Sequence, residues 1–318
     1  MSTANPCDTP LDSTAGTGPL IPDALRRSGR IPAPLLCVTA MFAVQLGIAF
    51  SKPLFGTLGV NGTTFLRLTI AALILLAATR PKLRGRTRRE LGSAVLLGLA
   101  SAGMTLLFAG AIDRLPMGTA ATIEFLGPLG VALALARRAS HLLWALLAGG
   151  GVALLTLFGS AGSTGHGGHG GSLDPVGLAY AFGAAACYAA YILFTDKVGA
   201  AFQGFEGLAV SISIGALALA PFGLGQAWHG LSRVDSPGLL LLGVAGVALL
   251  LPVIPYALEM TALRRLPQRV FSVIVSLEPA VSALVGLVVL GQLLGWPQLA
   301  GIGCVVAASV GATLAGRR

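Results

Sequence analysis

Ten stretches of mostly apolar residues, each close to the roughly 20 that a membrane-crossing helix needs, divide this chain between residues 35 and 315. They run near 35–54, 62–79, 91–112, 117–136, 141–160, 176–195, 207–226, 238–262, 268–290 and 297–315. The seventh is the most interrupted, by Ser, Gly and Pro. Of the 318 residues 55% are hydrophobic and only 10% charged, against about 25% charged in a soluble domain. Such a chain cannot cover itself with wetted surface. The fold class expected is an all-α polytopic membrane protein with ten transmembrane helices. Gly and Ala recur in every stretch, as suits helices that pack closely through small side chains.

A repeat orders the ten. Arg114-Leu115-Pro116, with Ala111 ahead and Pro128 behind, returns as Arg265-Leu266-Pro267 with Ala262 ahead and Pro279 behind, at a constant offset of 151. Five spans per half is an odd number, so the second copy enters from the opposite side and the halves form two inverted five-helix repeats. The domains expected are a disordered cytoplasmic tail over 1–33, repeats over 34–160 and 175–318, and an external linker over 161–174. The tail is rich in Ser, Thr, Pro and Gly and has no apolar core, so it is neither signal peptide nor helix. With the N-terminus cytoplasmic, 17 of the 21 Lys and Arg lie at the inner face. Lys52, Arg114 and Arg233 lie outside and Arg67 within a span. That bias fixes the orientation, with both termini cytoplasmic. The net charge of +9 thus belongs to membrane loops and implies no nucleic-acid partner.

Ionisable groups inside spans cost about 2.5–3.5 kcal/mol each on insertion scales, so each calls for an explanation. There are four: Arg67, Glu124, Glu259 and Glu278. Glu124 and Glu278 stand beside prolines in the matching fourth and ninth stretches. Pro128 has no amide hydrogen for the carbonyl of Glu124, and Pro279 none for Val275. Pro252 and Pro255 likewise release the carbonyls of Ala248 and Leu251. Unpaired backbone at membrane depth belongs where it is buried in protein or lines a wet cavity, so the fourth, eighth and ninth stretches should border one. Glu124, Glu278 and Glu259 are the candidate proton-coupling groups; Glu259 also has the simpler reading of an inner-face pair with Arg264 or Arg265. Arg67 either binds a substrate carboxylate or neutralises Glu124. Gln45, Tyr188, Tyr191 and Tyr256 are candidate polar contacts to substrate; Tyr188 and Tyr191, three apart, share a helix face.

Other features read as structure. Cys37, Cys187 and Cys304 lie in apolar stretches as packing residues, and Cys7 in the tail. The two histidines of the Gly- and His-rich segment 165–170 are too few for a closed metal site, so no metal or cofactor is expected. Trp144, Trp228 and Trp296, near span ends, read as interface anchors. Nucleotide-binding and hydrolytic fingerprints are missing from the sequence, which points to secondary transport. A channel or an intramembrane enzyme is the rival class; an enzyme would need a nucleophile with its base.

These residues resemble the drug/metabolite transporter superfamily, with two EamA-type halves, and more narrowly its bacterial threonine/homoserine exporter subfamily. The resemblance covers about residues 35–316. It is carried by QLGIAFSKPLF from Gln45, TFLRL around Arg67, IEFLGPLGVAL from Ile123, ACYAAYIL from Ala186, LPVIPYALEMTAL from Leu251 and RLPQRVFSVIVSLEPA from Arg265. It implies efflux of small amino acids or related metabolites across the bacterial inner membrane, driven by protons and working by alternating access. The same fold also implies drug or other metabolite export as alternatives. Gln292 departs from the pattern, since many relatives carry glutamate there, as do the long tail and the 161–174 insertion.

Overall fold

Pro, Gly and polar caps decide where these apolar stretches become helices. A computed structural model describes residues 32–81, 87–135, 140–158, 173–202, 205–263 and 265–315, all helical or connecting, with no strand among the described residues. Helix α1 spans Ala33–Ser51 and is followed by a 3-10 turn, Lys52–Leu54, and α2, Phe55–Thr79. Then come α3 (Arg88–Arg114), α4 (Met117–Glu124), α5 (Leu126–Leu135) and α6 (Ser140–Phe158). The second half holds α7 (Pro175–Ala201), α8 (Glu206–Ser232), α9 (Pro237–Ala248) and, after a π-helical turn at Leu249–Val253, α10 (Ile254–Leu263). It ends with α11 (Gln268–Val275), α12 (Glu278–Leu290) and α13 (Trp296–Ala315). The expected tail to residue 31, the loop 161–172 with its histidines, and the basic stretches at 82–86, 136–139, 264 and 316–318 lie outside the described residues.

Seven helical stretches among the described residues are long and apolar enough to cross a membrane. The protein is a multi-pass membrane protein. Seven is fewer than the ten stretches read from the sequence, and the reason is local. The first of the seven, Ala33–Thr79, is 47 residues long, about 70 Å of helix against a hydrocarbon core of about 30 Å. It combines two of the ten, divided at the 3-10 turn and at Gly59, whose φ of 71° and ψ of 163° interrupt α2. The fourth is broken into α4 and α5, of 8 and 10 residues, and the fifth has only the shorter apolar run Leu143–Leu155.

Three helices outrun the apolar stretches that announced them. Helix α3 starts at Arg88 because Thr87 and Glu90 form a reciprocal capping box. Helix α7 continues six residues past 195 and takes in Lys197; its first turn is held by Asp174, whose carboxylate accepts the amide of Val176. Helix α8 continues to Ser232 with Pro221 inside it. Hydropathy stops at the first charge or proline, whereas a helix stops only where its backbone bonds do.

The most extensive packing joins α2 to α8, and glycine permits it. A Cβ on Gly62 would stand 2.8 Å from the Ala227 nitrogen, and one on Gly230 2.7 Å from the Thr57 carbonyl. Three residues past the kink at Gly59, the amide of Gly62 donates to the side-chain oxygen of Gln226 of α8 at 3.2 Å. Elsewhere α3 packs on α7 and α10 on α1, while α6 packs on α13.

Candidate functional site

The two predicted helix breaks are built alike. Helices α4 and α11 are both eight residues long, begin directly after Pro116 and Pro267, and match end to end at the offset of 151. The amide of Leu115 donates to the Ala111 carbonyl at 2.7 Å, and that of Leu266 to Ala262 at 2.8 Å. Each helix stops at the residue whose carbonyl faces a proline four positions on: Glu124 before Pro128, Val275 before Pro279. The glutamates themselves are not equivalent. Glu124 is the last residue of α4, whereas Glu278 is the first of α12. In the eighth stretch α9 stops at Ala248, Leu251 adopts an extended φ of −156°, and the amide of Ile254 bonds the Leu249 carbonyl.

These breaks surround a cavity of about 320 Å³, at the small end of the roughly 300–1,000 Å³ typical of ligand sites. Glu124, Glu259 and Glu278 all line it. So do Arg67, Tyr188, Tyr191 and Tyr256, and so do Pro252 and Pro255. Pro128 and Pro279 stand behind the lining, acting on it through the backbone they interrupt. Gln45 also lies behind it: the side chain is 1% exposed and its amide donates to Glu278 Oε1 at 3.5 Å, leaving its own oxygen without a partner. Tyr188 and Tyr191 meet edge to face with ring centroids 6.2 Å apart, and Tyr256 meets Phe205 similarly at 5.2 Å.

Arg67 is 6% exposed and makes no ion pair or hydrogen bond among the described residues. Glu124 is not within bonding distance of it. Glu259 also has no ion-pair partner among the described residues; Arg265 is exposed, and Arg264 lies outside them. The cavity thus gathers one guanidinium and three carboxyls without pairing the opposite charges. A buried arginine with no partner is costly, and an anion entering the cavity would find it ready.

The sequence reading missed one wall. Ser101, Met104, Thr105 and Phe108 of α3 line the cavity, and adding 151 to each gives Pro252, Pro255, Tyr256 and Glu259. The repeat itself was the signal: a candidate in one half nominates its counterpart in the other. Gln292 also does more than its peripheral position suggested. Its side-chain oxygen accepts the amide of Met117 at 2.9 Å, capping the short helix that ends in Glu124. Trp228 and Trp296 are exposed, as interface anchors would be, whereas Trp144 packs against Gly311 of α13.

Residues 175–314 match the EamA-like transporter family. The threonine/homoserine exporter RhtA of Salmonella typhimurium (strain LT2) is 38% identical over 289 residues, covering 89% of this chain and 92% of that protein. The protein of the same name from Escherichia coli (strain K12) is 37% identical over 303 residues, 94% of this chain and 97% of its own. A solved crystal structure aligns over 90% of this chain and 98% of its own length, with a TM-score of 0.55 at 21% identity. That likeness is one of fold.

Proposed function

The chain belongs to the EamA-like transporter family, and we propose that it exports threonine, homoserine and similarly small amino acids from the bacterial cytoplasm in exchange for protons. It sits in the inner membrane with both termini cytoplasmic. Ten transmembrane helices form inverted repeats over 34–160 and 175–318, joined outside by 161–174, and rocking of one repeat against the other gives alternating access. The pairing of α3 with α7, answered by α10 with α1, is what such symmetry requires.

One observation carries the substrate class: a small cavity whose lining holds one guanidinium, Arg67, buried and unpaired among the described residues, while three carboxyls share the same walls. A zwitterion offers a carboxylate to the first and an ammonium to the others. The names of the relatives narrow the zwitterion to threonine and homoserine. Glu124, Glu259 and Glu278 are the candidates for carrying the proton, since a carboxyl whose surroundings dry out as the cavity closes takes up and releases a proton with the cycle. Tyr188, Tyr191 and Tyr256 supply hydroxyls to the substrate. A second reading, export of organic cations, draws on the excess of carboxyls and the tyrosine pair. Counterflow in proteoliposomes decides between them, using labelled amino acids and a quaternary ammonium dye with and without a pH gradient. Saturable threonine exchange that the gradient accelerates is the expected result; exchange of the dye alone would overturn the proposal.

A further inference from the structure

We propose that the two glutamates of the broken helices divide the work: Glu278 receives the substrate's ammonium group and Glu124 carries the proton. This rests on amino-acid export as read above and says how that site is partitioned.

The division follows from where each carboxyl sits on its helix. At the offset of 151, Glu124 answers to Val275 and Glu278 to Gly127. The two acids therefore occupy opposite sides of equivalent breaks. Glu278 opens the 13-residue helix α12, where aligned peptide dipoles favour negative charge; Glu124 closes α4, two residues ahead of α5, and so lies between opposed helix ends and inside the first turn of neither. The surroundings add to this. Gln45, itself 1% exposed, turns an amide hydrogen toward Glu278, while no donor among the described residues reaches Glu124. Glu259, in the body of α10, has no helix N-terminus and no donor among the described residues.

Arg67 supplies the independent half of the argument. It is more than nine-tenths buried, lines the same cavity and has no partner among the described residues, so it is a fixed cation awaiting an anion. A substrate carboxylate meets that need, and the ammonium it brings requires a carboxylate that remains charged. Glu278 is built for this. The groups around Glu278 are Gln45 and Cys37 of α1, Glu259 of α10, Tyr188 of α7 and Glu124 of α4. Glu278 and Tyr188 are the titratable groups near Glu124; Ser101, Met104, Thr105 and Phe108 of α3, which line the same cavity, are uncharged. Arg67 is the cation that the cavity lining contains. A proton taken on by Glu124 at the outer opening leaves it at the inner one, so the protein returns to its starting charge while each cycle carries one positive charge inward.

The test uses the purified full chain in liposomes, with labelled threonine as substrate and 2,3-dihydroxybutyrate (hydroxyl in place of ammonium) as competitor. Glu278→Gln should raise the threonine KM about tenfold or more, as loss of a charge-assisted contact does, and erase the preference for threonine over the competitor. Glu278→Asp should restore that preference, separating loss of charge from loss of fold. Glu124→Gln should keep the preference and lose about tenfold of the acceleration by a pH gradient. Reversed roles, or both variants losing both properties, would overturn the division while leaving amino-acid export standing. Wild-type liposomes that exchange no amino acid would sink that parent reading, and this one with it.

Discussion

Replacing Arg67 with methionine should separate stability from transport in opposite directions. Methionine keeps an unbranched apolar stem of similar reach and removes the charge. An arginine at helix depth costs about 2.5–3.5 kcal/mol to insert, and Arg67 recovers none of that through a pair within the described residues. Attraction to the three cavity carboxyls offsets part of it, so the variant should be as stable as the parent or gain up to about 3 kcal/mol. Transport should move the other way. A charge-assisted hydrogen bond contributes about 1.5–3 kcal/mol, which is about a 10- to 150-fold rise in KM for threonine. Thermal unfolding in detergent gives the first quantity and counterflow in proteoliposomes the second. A variant that melts lower and loses transport in proportion would show Arg67 to be a structural charge. One that transports with an unchanged KM would remove it from the site.

Gln292→Leu leaves the Met117 amide without its acceptor and should cost about 1–3 kcal/mol; Gln292→Glu, placing a charge at the N-terminus of α4, should gain about 0.3–1 kcal/mol in thermal unfolding. Gly223→Ala drives a methyl toward Phe65 and the Asn61 carbonyl and should destabilise by about 1–3 kcal/mol. Two residues on, Gly225→Ala meets nothing within 4 Å and should be neutral or stabilising by up to about 1 kcal/mol; equal effects at the two positions would refute the packing of α2 on α8. At the end of α3, Arg114 bonds Asp174 at 2.9 Å, and that hydrogen bond holds the Asp174 carboxyl below the usual aspartate range. A depressed carboxyl pKa contributes stability that is complete above the unfolded value of about 4 and is lost as pH falls through the folded one. Asp174→Asn should therefore shift the melting temperature by the same small amount at pH 5 and pH 8, and the shift should vanish in stronger acid.

What the sequence made legible was whatever depends on one residue type at one depth. An apolar run long enough to span, a carboxyl inside it, and a proline that must leave a carbonyl four residues back unpaired are each local facts, and each has its counterpart here in α4, α9 and α11. The illegible parts depend on neighbours. Gln45 in α1 looks like a cavity residue on its own helix, yet Glu278 of α12 stands between it and the space. Glu259 sits close enough to Arg264 and Arg265 in sequence to suggest a pair, yet its helix turns it into the cavity. Gln292 is peripheral on its own helix end until α4 arrives with the Met117 amide. The continuous α3 wall was passed over because Ser, Met, Thr and Phe carry no cost at membrane depth and so raise no question.

On the proposed function, the repeat at an offset of 151 explains how an asymmetric ligand is held by a nearly symmetric frame. Both repeats keep the device that opens the helix, a proline 12 residues after Pro116 or Pro267, because the break is what places unpaired backbone beside the cavity. The side chains were free to diverge around it. Shifting a carboxyl by three residues, close to one helical turn, keeps it near the same face while moving it from one side of the break to the other. The acid of the first half thus faces the carbonyl end of its short helix, and that of the second half the amide end of its long one. The same divergence runs along the facing pair α3 and α10, where Phe108 stands at the position equivalent to Glu259 and Thr105 at that of Tyr256. One wall is uncharged and continuous, the other carries a carboxyl and is broken. On the proposed reading, a substrate with two charges and a short side chain meets different chemistry from each repeat, although the helix breaks at Pro128 and Pro279 are built alike.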